Sequence, residues 1–204
     1  MFNHLFNLFS LHCITYWSTC FYYDSQVVTY KNYVKNELRV SIESSLLNQI
    51  CGTLPSIYLF LKVYPVIEYN FLQSILCIPC LIMFTDVYFY TIHRLCHSYL
   101  WFIHKHHHIG DNYSVKSLDA HIIEHIFINI VSISWGIGAL YKLGFIFNIY
   151  SLYLWTFLST IYPCLTHSEV YNENSTHLKH HKFRNCNYGV GGIYLMDRMF
   201  GTYI

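Results

Sequence analysis

Residues 126–166 read IFINIVSISWGIGALYKLGFIFNIYSLYLWTFLSTIYPCLT, 41 positions with one formal charge, Lys142. A spanning helix needs about 20 apolar residues, so this stretch holds two, turning near Tyr141-Lys142-Leu143-Gly144. Working outward, residues 69–92 carry only Asp86 and form one further span. Residues 45–66 form another if Lys62 snorkels at its end. A membrane barrel would show short alternating runs; these are long and unalternated. Residues 1–23 contain no Asp, Glu, Lys or Arg. They lack the basic n-region and small-residue cleavage site of a signal peptide. They read as a membrane-embedded apolar helix, diluted by Asn3, His4, Asn7 and His12. The expected fold is an all-α integral membrane protein with about four transmembrane helices plus the N-terminal apolar helix. Residues 1–44 form that helix and a linker, and 45–204 the main membrane domain.

The composition agrees. Of 204 residues, 54% are hydrophobic, 19% aromatic and 11% charged, against roughly 25% charged in a soluble domain. So few charges cannot cover a water-facing surface. A net charge of +1 offers no field for nucleic acid. The eight cysteines are scattered through apolar stretches, unlike the framework of a small secreted scaffold. Cys77-Ile-Pro-Cys80 has redox-motif spacing but lies within a span, where packing is the better reading.

Histidine is the outlier: 14 residues, more than the 12 lysines and arginines together. Twelve lie between residues 93 and 181 and respect the span pattern. His93 and His97 follow one span, and His104 to His108 fill the next polar stretch. His121 and His125 open the hairpin, His167 closes it, and His177, His180 and His181 lie beyond. A hairpin returns the chain to the side it left, so every clustered histidine reaches one membrane face. Lys31, Lys35, Arg39, Lys105, Lys179, Lys182 and Arg184 share that face, which the positive-inside rule makes cytosolic. The sequons at Asn112 and Asn174 then lie on the side where glycosylation does not occur.

Spacing supplies the chemistry. His93 and His97 are four apart, on one helical face. His104, His107 and His108 combine spacings of three and four, and His177, His180 and His181 repeat them. With His121 and His167 the set reaches ten imidazoles. One tetrahedral zinc uses four ligands, so eight to ten donors suit two metals, whose identity imidazole alone does not choose. His4 and His12 have no partner at ligand spacing and read as solvated or interfacial. His106 points off the shared face, and His125 is a deeper substitute for His121.

These residues resemble the fatty acid hydroxylase/sterol desaturase superfamily. Asp86 to His97 is similar to its first histidine box and Ile103 to His108 to its second. His121-Ile-Ile-Glu124 resembles its H-P-x-E element, with Ile122 for proline. Thr166-His167-Ser168 resembles its H-S-G element, with Glu169 for glycine. His177-Leu-Lys-His180-His181, Asn187-Tyr188-Gly189 and Asp197 to Thr202 resemble the third box and its following signature. The H-x-x-x-H first box is nearest to the sterol-oxidising branch.

The resemblance implies a membrane oxygenase, with 45–204 as its catalytic domain and a cytosolic His-lined helical cap. Two iron ions would be held by His93, His97, His104, His107, His108, His121, His167, His177, His180 and His181, ligands that zinc can also occupy in isolated protein. Members hydroxylate, desaturate or demethylate a lipid, a sterol or fatty acyl chain, using O2. Electrons come from cytochrome b5 or a similar donor with an NAD(P)H reductase, here a separate protein because no H-P-G-G segment is present. The implied location is the endoplasmic reticulum membrane. Glu124 and Asp86 are expected to orient ligand imidazoles, and Arg94 to pair with either acid. The alternatives are a divalent-metal carrier, whose ligands should sit nearer mid-membrane, and an inactive scaffold.

Overall fold

A computed structural model describes residues 2–30, 35–66 and 71–204. Lys31 of the linker and the first two positions of the 69–92 span lie outside the described residues. Among the described residues the regular structure is helical throughout, with no strand. The N-terminal apolar run is one helix, α1 (Phe2–Tyr30), longer than its uncharged stretch. The expected linker is also largely helical. α2 (Lys35–Asn48) passes through a π-helical turn, Gln49–Thr53, into α3 (Leu54–Val63). Its Arg39–Glu43 pair, 2.9 Å apart and exposed, contributes only a few tenths of a kcal/mol.

The 69–92 stretch is not one helix. α4 (Phe71–Leu76) gives way at Cys77 to α5 (Ile78–Tyr99), with Pro79 in the first turn of α5. Proline has no N–H to donate, so it is tolerated where a helix begins and breaks one that continues through it. α5 then continues past residue 92 to carry His93 and His97. Beyond a short α6 (Trp101–His104), α7 (Ile122–Glu124) enters a second π-helical turn, His125–Ile130, which leads into α8 (Val131–Lys142). α9 (Ile149–His167) returns, capped by Asn148, whose side chain accepts from Tyr150 N at 2.8 Å. Among the described residues two continuous stretches, 36–63 and 122–142, are long and apolar enough to cross a membrane.

α1 packs along α9, and α5 along α8. The α5–α8 approach depends on Gly136, where an added Cβ would lie 3.0 Å from Phe84 Cβ. Small residues that let backbones approach are how helices associate where lipid removes the hydrophobic driving force. Leu81, Ile137, Leu140, Leu152 and Trp155 fill the core around this contact. Large apolar side chains face outward, with Phe6 71%, Phe21 79% and Leu72 72% exposed, a surface suited to lipid. No disulfide joins cysteines among the described residues; Cys77 is buried and Cys80 exposed.

Helices α1 and α2 also staple the loop ahead of α7. Asp24 accepts from Ser114 N and Val115 N at 2.7 and 3.0 Å, and Tyr16 donates to Val115 O at 2.7 Å. Asn48 donates to Leu118 O and Ala120 O, each at 2.8 Å. This loop carries Asp119, whose carbonyl faces a histidine of the site below.

Candidate metal centre

Nine imidazoles converge in two groups: His93, His97, His104, His108 and His180, and then His107, His167, His177 and His181. Within each, the candidate donor atoms lie within 4.8 Å of one another. His180 and His181 separate into different groups because successive residues of a helix point about 100° apart, and His107 and His108, in the turns that follow α6, separate likewise. The short helix α11 (Thr176–Phe183) is started by Ser175, whose hydroxyl accepts from Leu178 N at 3.2 Å. Glu169 is accommodated because Ser168 caps α10 (Glu169–Asn172), accepting from Tyr171 N at 3.3 Å. His167 and His177 meet with Nε2 atoms 2.9 Å apart.

Five rings are oriented through Nδ1. His93 donates to Tyr188 O at 2.7 Å, His180 to Cys186 O at 2.6 Å and His167 to Pro163 O at 2.7 Å. His107 donates to Asp119 O at 3.3 Å, and His104 to Glu124 Oε1 at 2.8 Å. A neutral imidazole donating through Nδ1 leaves a bare lone pair on Nε2. Yet His93 Nε2 lies 3.0 Å from His104 Nε2, and His107 Nε2 lies 3.0 Å from His167 Nε2. In each pair two lone pairs face each other without a proton between them. A shared cation makes that arrangement favourable, so the residues present fit a metal in each group.

The rings are also held in the form that binds metal. Burial first, then His107 and Arg184, lower His97 to about 4. Burial lowers His107 to about 4 despite the opposing pull of Asp119. Burial, then His97, lowers His180 to about 3. His93, His104, His108, His167, His177 and His181 fall below the ordinary histidine range for the same reasons, burial before neighbouring imidazoles. Neutral imidazole is the ligating form.

The other sequence-selected residues divide. Glu124 Oε1 accepts from His104 Nδ1 at 2.8 Å, and its Oε2 is buried with no hydrogen-bond partner among the described residues. Asp86 does not orient an imidazole. It is fully buried and accepts from Val190 N and Met196 N, each at 3.1 Å, anchoring the chain that leads into α12 (Leu195–Met199). Arg94 pairs with neither acid; it donates to Tyr90 OH at 2.5 Å and lies over the Tyr188 ring.

His121 stands outside both groups, exposed, with its Nδ1 accepting from Ile123 N at 3.2 Å as the cap of α7. A ring turned to its own helix start is not free to point at a metal. His121→Ala is therefore expected to cost about 1 kcal/mol as a lost cap and to leave metal content unchanged, as elemental analysis and thermal unfolding would show. His106 donates to Asp119 Oδ1 at 2.9 Å, bracing the residue behind His107. His12 corrects the solvated reading: it is buried, with Nδ1 2.9 Å from Thr160 Oγ1. His125 is buried against Thr53 rather than substituting for His121.

Both groups open onto one cavity of about 960 Å3, lined by His93, His104, His107, His167 and His177 at the metal end. Its apolar walls come from α3, α8 and α9 and reach as far as Lys142 and Leu143. Sequence reasoning missed this cavity, because it is made by side chains of separate helices.

The chain is 26% identical over 211 residues to erg3A of Aspergillus fumigatus, a Delta(7)-sterol 5(6)-desaturase, covering 91% of this chain and 56% of that relative. The chain thus spans little more than half that relative's length. No solved structure matches. Residues 78–202, more than half of the chain, match the fatty acid hydroxylase family. They contain all nine converging histidines, and the chain belongs to that family.

Proposed function

We propose that this protein is a membrane-bound di-iron oxygenase that hydroxylates, desaturates or oxidatively demethylates a lipid. The observation that carries the reading is the placement of two buried imidazole groups at one end of a deep apolar cavity. The family match and the desaturase relative support the same reaction class. Neighbouring Nε2 atoms lie 2.9–3.1 Å apart. Donors this close fit a cation held within each group, and the family match supports iron as that cation.

Bound iron would supply oxygen reduction and C–H oxidation. The chain contributes the rest. Backbone carbonyls and Glu124 fix the ring tautomers, while the cavity holds a carbon of the lipid against the histidine end and excludes water. Ligands gathered at one end of the helices, rather than along a path between them, disfavour a metal carrier. Electrons would arrive on the cytosolic face from a separate donor such as cytochrome b5 with its reductase.

Lipid profiling of cells with and without the protein tests the activity, with the His107→Ala variant as control. A lipid that is consumed, and a more oxidised product that appears, only with the wild-type protein is the expected result. Identical profiles at matched protein levels would overturn the reading. Orientation is tested separately. Asn174 is exposed, so only topology protects it, and neither it nor Asn112 should carry glycan in a eukaryotic membrane. A glycosidase-sensitive mobility shift at either position would reverse the assigned orientation.

A further inference from the structure

The cavity has a polar patch that metal binding does not use. Its residues come from the two π-helical turns, Gln49–Thr53 and His125–Ile130, and from α1 and α9. π-Helical turns inside longer helices recur at functional sites because they displace side chains from regular register. Intramembrane histidines carry the same implication.

Hydrogen-bond direction can be followed through the patch. Trp17 Nε1 donates to Gln49 Oε1 at 2.9 Å, which turns the Gln49 amide nitrogen toward His12 Nε2, 3.4 Å away. His12 Nε2 therefore accepts, and its Nδ1–H donates to Thr160 Oγ1 at 2.9 Å. The second relay has the same sense. The Asn129 amide nitrogen lies 3.4 Å from His125 Nδ1, so the proton is on Nε2 and is donated to Thr53 Oγ1 at 3.0 Å. Each threonine hydroxyl is thus an acceptor toward its histidine, with its own O–H left to donate. Both threonines line the cavity, as do His12 and His125. His125 directly follows Glu124, which holds His104 of the candidate metal site, and the threonines and His104 line the same cavity.

We infer that Thr53 and Thr160 form a subsite that donates hydrogen bonds to an oxygen on the lipid bound in this cavity. The ligand is a lipid bearing a hydroxyl or carbonyl oxygen, rather than a plain hydrocarbon segment. This rests on the lipid-oxygenase reading and adds a specificity determinant to it. His12, Gln49 and Thr53 lie outside residues 78–202, which gives the N-terminal helices a part in substrate choice.

Competition against labelled cholestanol, on purified metal-loaded protein in detergent, tests the subsite. Cholestanol and cholestan-3-one should each compete at least about tenfold better than cholestane, the value of one or two neutral hydrogen bonds. Methyl stearate against octadecane asks whether an acyl carbonyl is read in the same way. Preference in the ring series assigns the oxygen to a polycyclic lipid, and preference in the chain series to an acyl lipid. In Thr53→Val/Thr160→Val the preference should shrink to within about twofold, with cholestane competition and metal content unchanged, while the unfolding temperature falls because the buried His12 and His125 donors lose their acceptors. Equal binding of oxygenated and hydrocarbon members in both series overturns the subsite alone. So does a double variant that keeps the preference, or one that loses all ligands in parallel, as a purely structural role would require. Binding of no lipid at all by metal-loaded protein overturns the lipid-oxygenase reading as well.

Discussion

Replacing His107 or His180 with alanine should lower lipid oxidation by more than about a hundredfold, beyond the 10–100-fold typical of losing a residue that only supports a ligand. Each substitution removes a donor from a different group. Metal analysis should therefore fall from about two equivalents toward about one in each variant, and further when the two are combined. His106→Ala is the control, because its ring braces Asp119 at 2.9 Å without joining either group. It should keep both metals and most activity. Protein levels must be matched, since metal loss also destabilises the surrounding helices. Full activity with full metal content in both cluster variants would overturn the assignment of these ligands.

Gly189→Ala should be nearly as damaging without touching a histidine. A methyl group there would press into Asp86 Oδ1 and lie 2.7 Å from Asp197 Oδ2. Both carboxylates are fully buried. Asp197 accepts from Tyr188 N at 2.8 Å, Gly189 N at 2.6 Å and the Thr202 hydroxyl at 2.7 Å. Asp86 holds Val190 and Met196. Together they fix the segment whose Tyr188 carbonyl orients His93. Overpacking and displaced buried hydrogen bonds place the cost at about 3 kcal/mol. The expected readouts are a lower unfolding temperature and partial loss of metal from the group that contains His93. An unchanged unfolding temperature would show that the segment yields more easily than its packing implies.

Much of this was legible in the sequence. Long uncharged runs demand helices, because a backbone in lipid must satisfy its hydrogen bonds within its own segment. Imidazoles four apart lie on one side of the chain, and His93/His97, His104/His108 and His177/His181 each stay within one group.

The partition of those histidines was not legible. Spacing groups His104 with both His107 and His108, but the folded chain sends His108 to the group of His93 and His107 to that of His167. Such assignment depends on how α5, α9 and α11 are set against one another. The failures share that cause. His121 turns to cap its own helix, and Asp86 is captured by backbone amides more than a hundred residues away. His12 finds Thr160 across a helix interface. Local periodicity determined the helices and the supply of nitrogen donors. Only tertiary packing decided which donors meet, which acids orient them and what cavity they face, because those contacts join residues that no short sequence window contains.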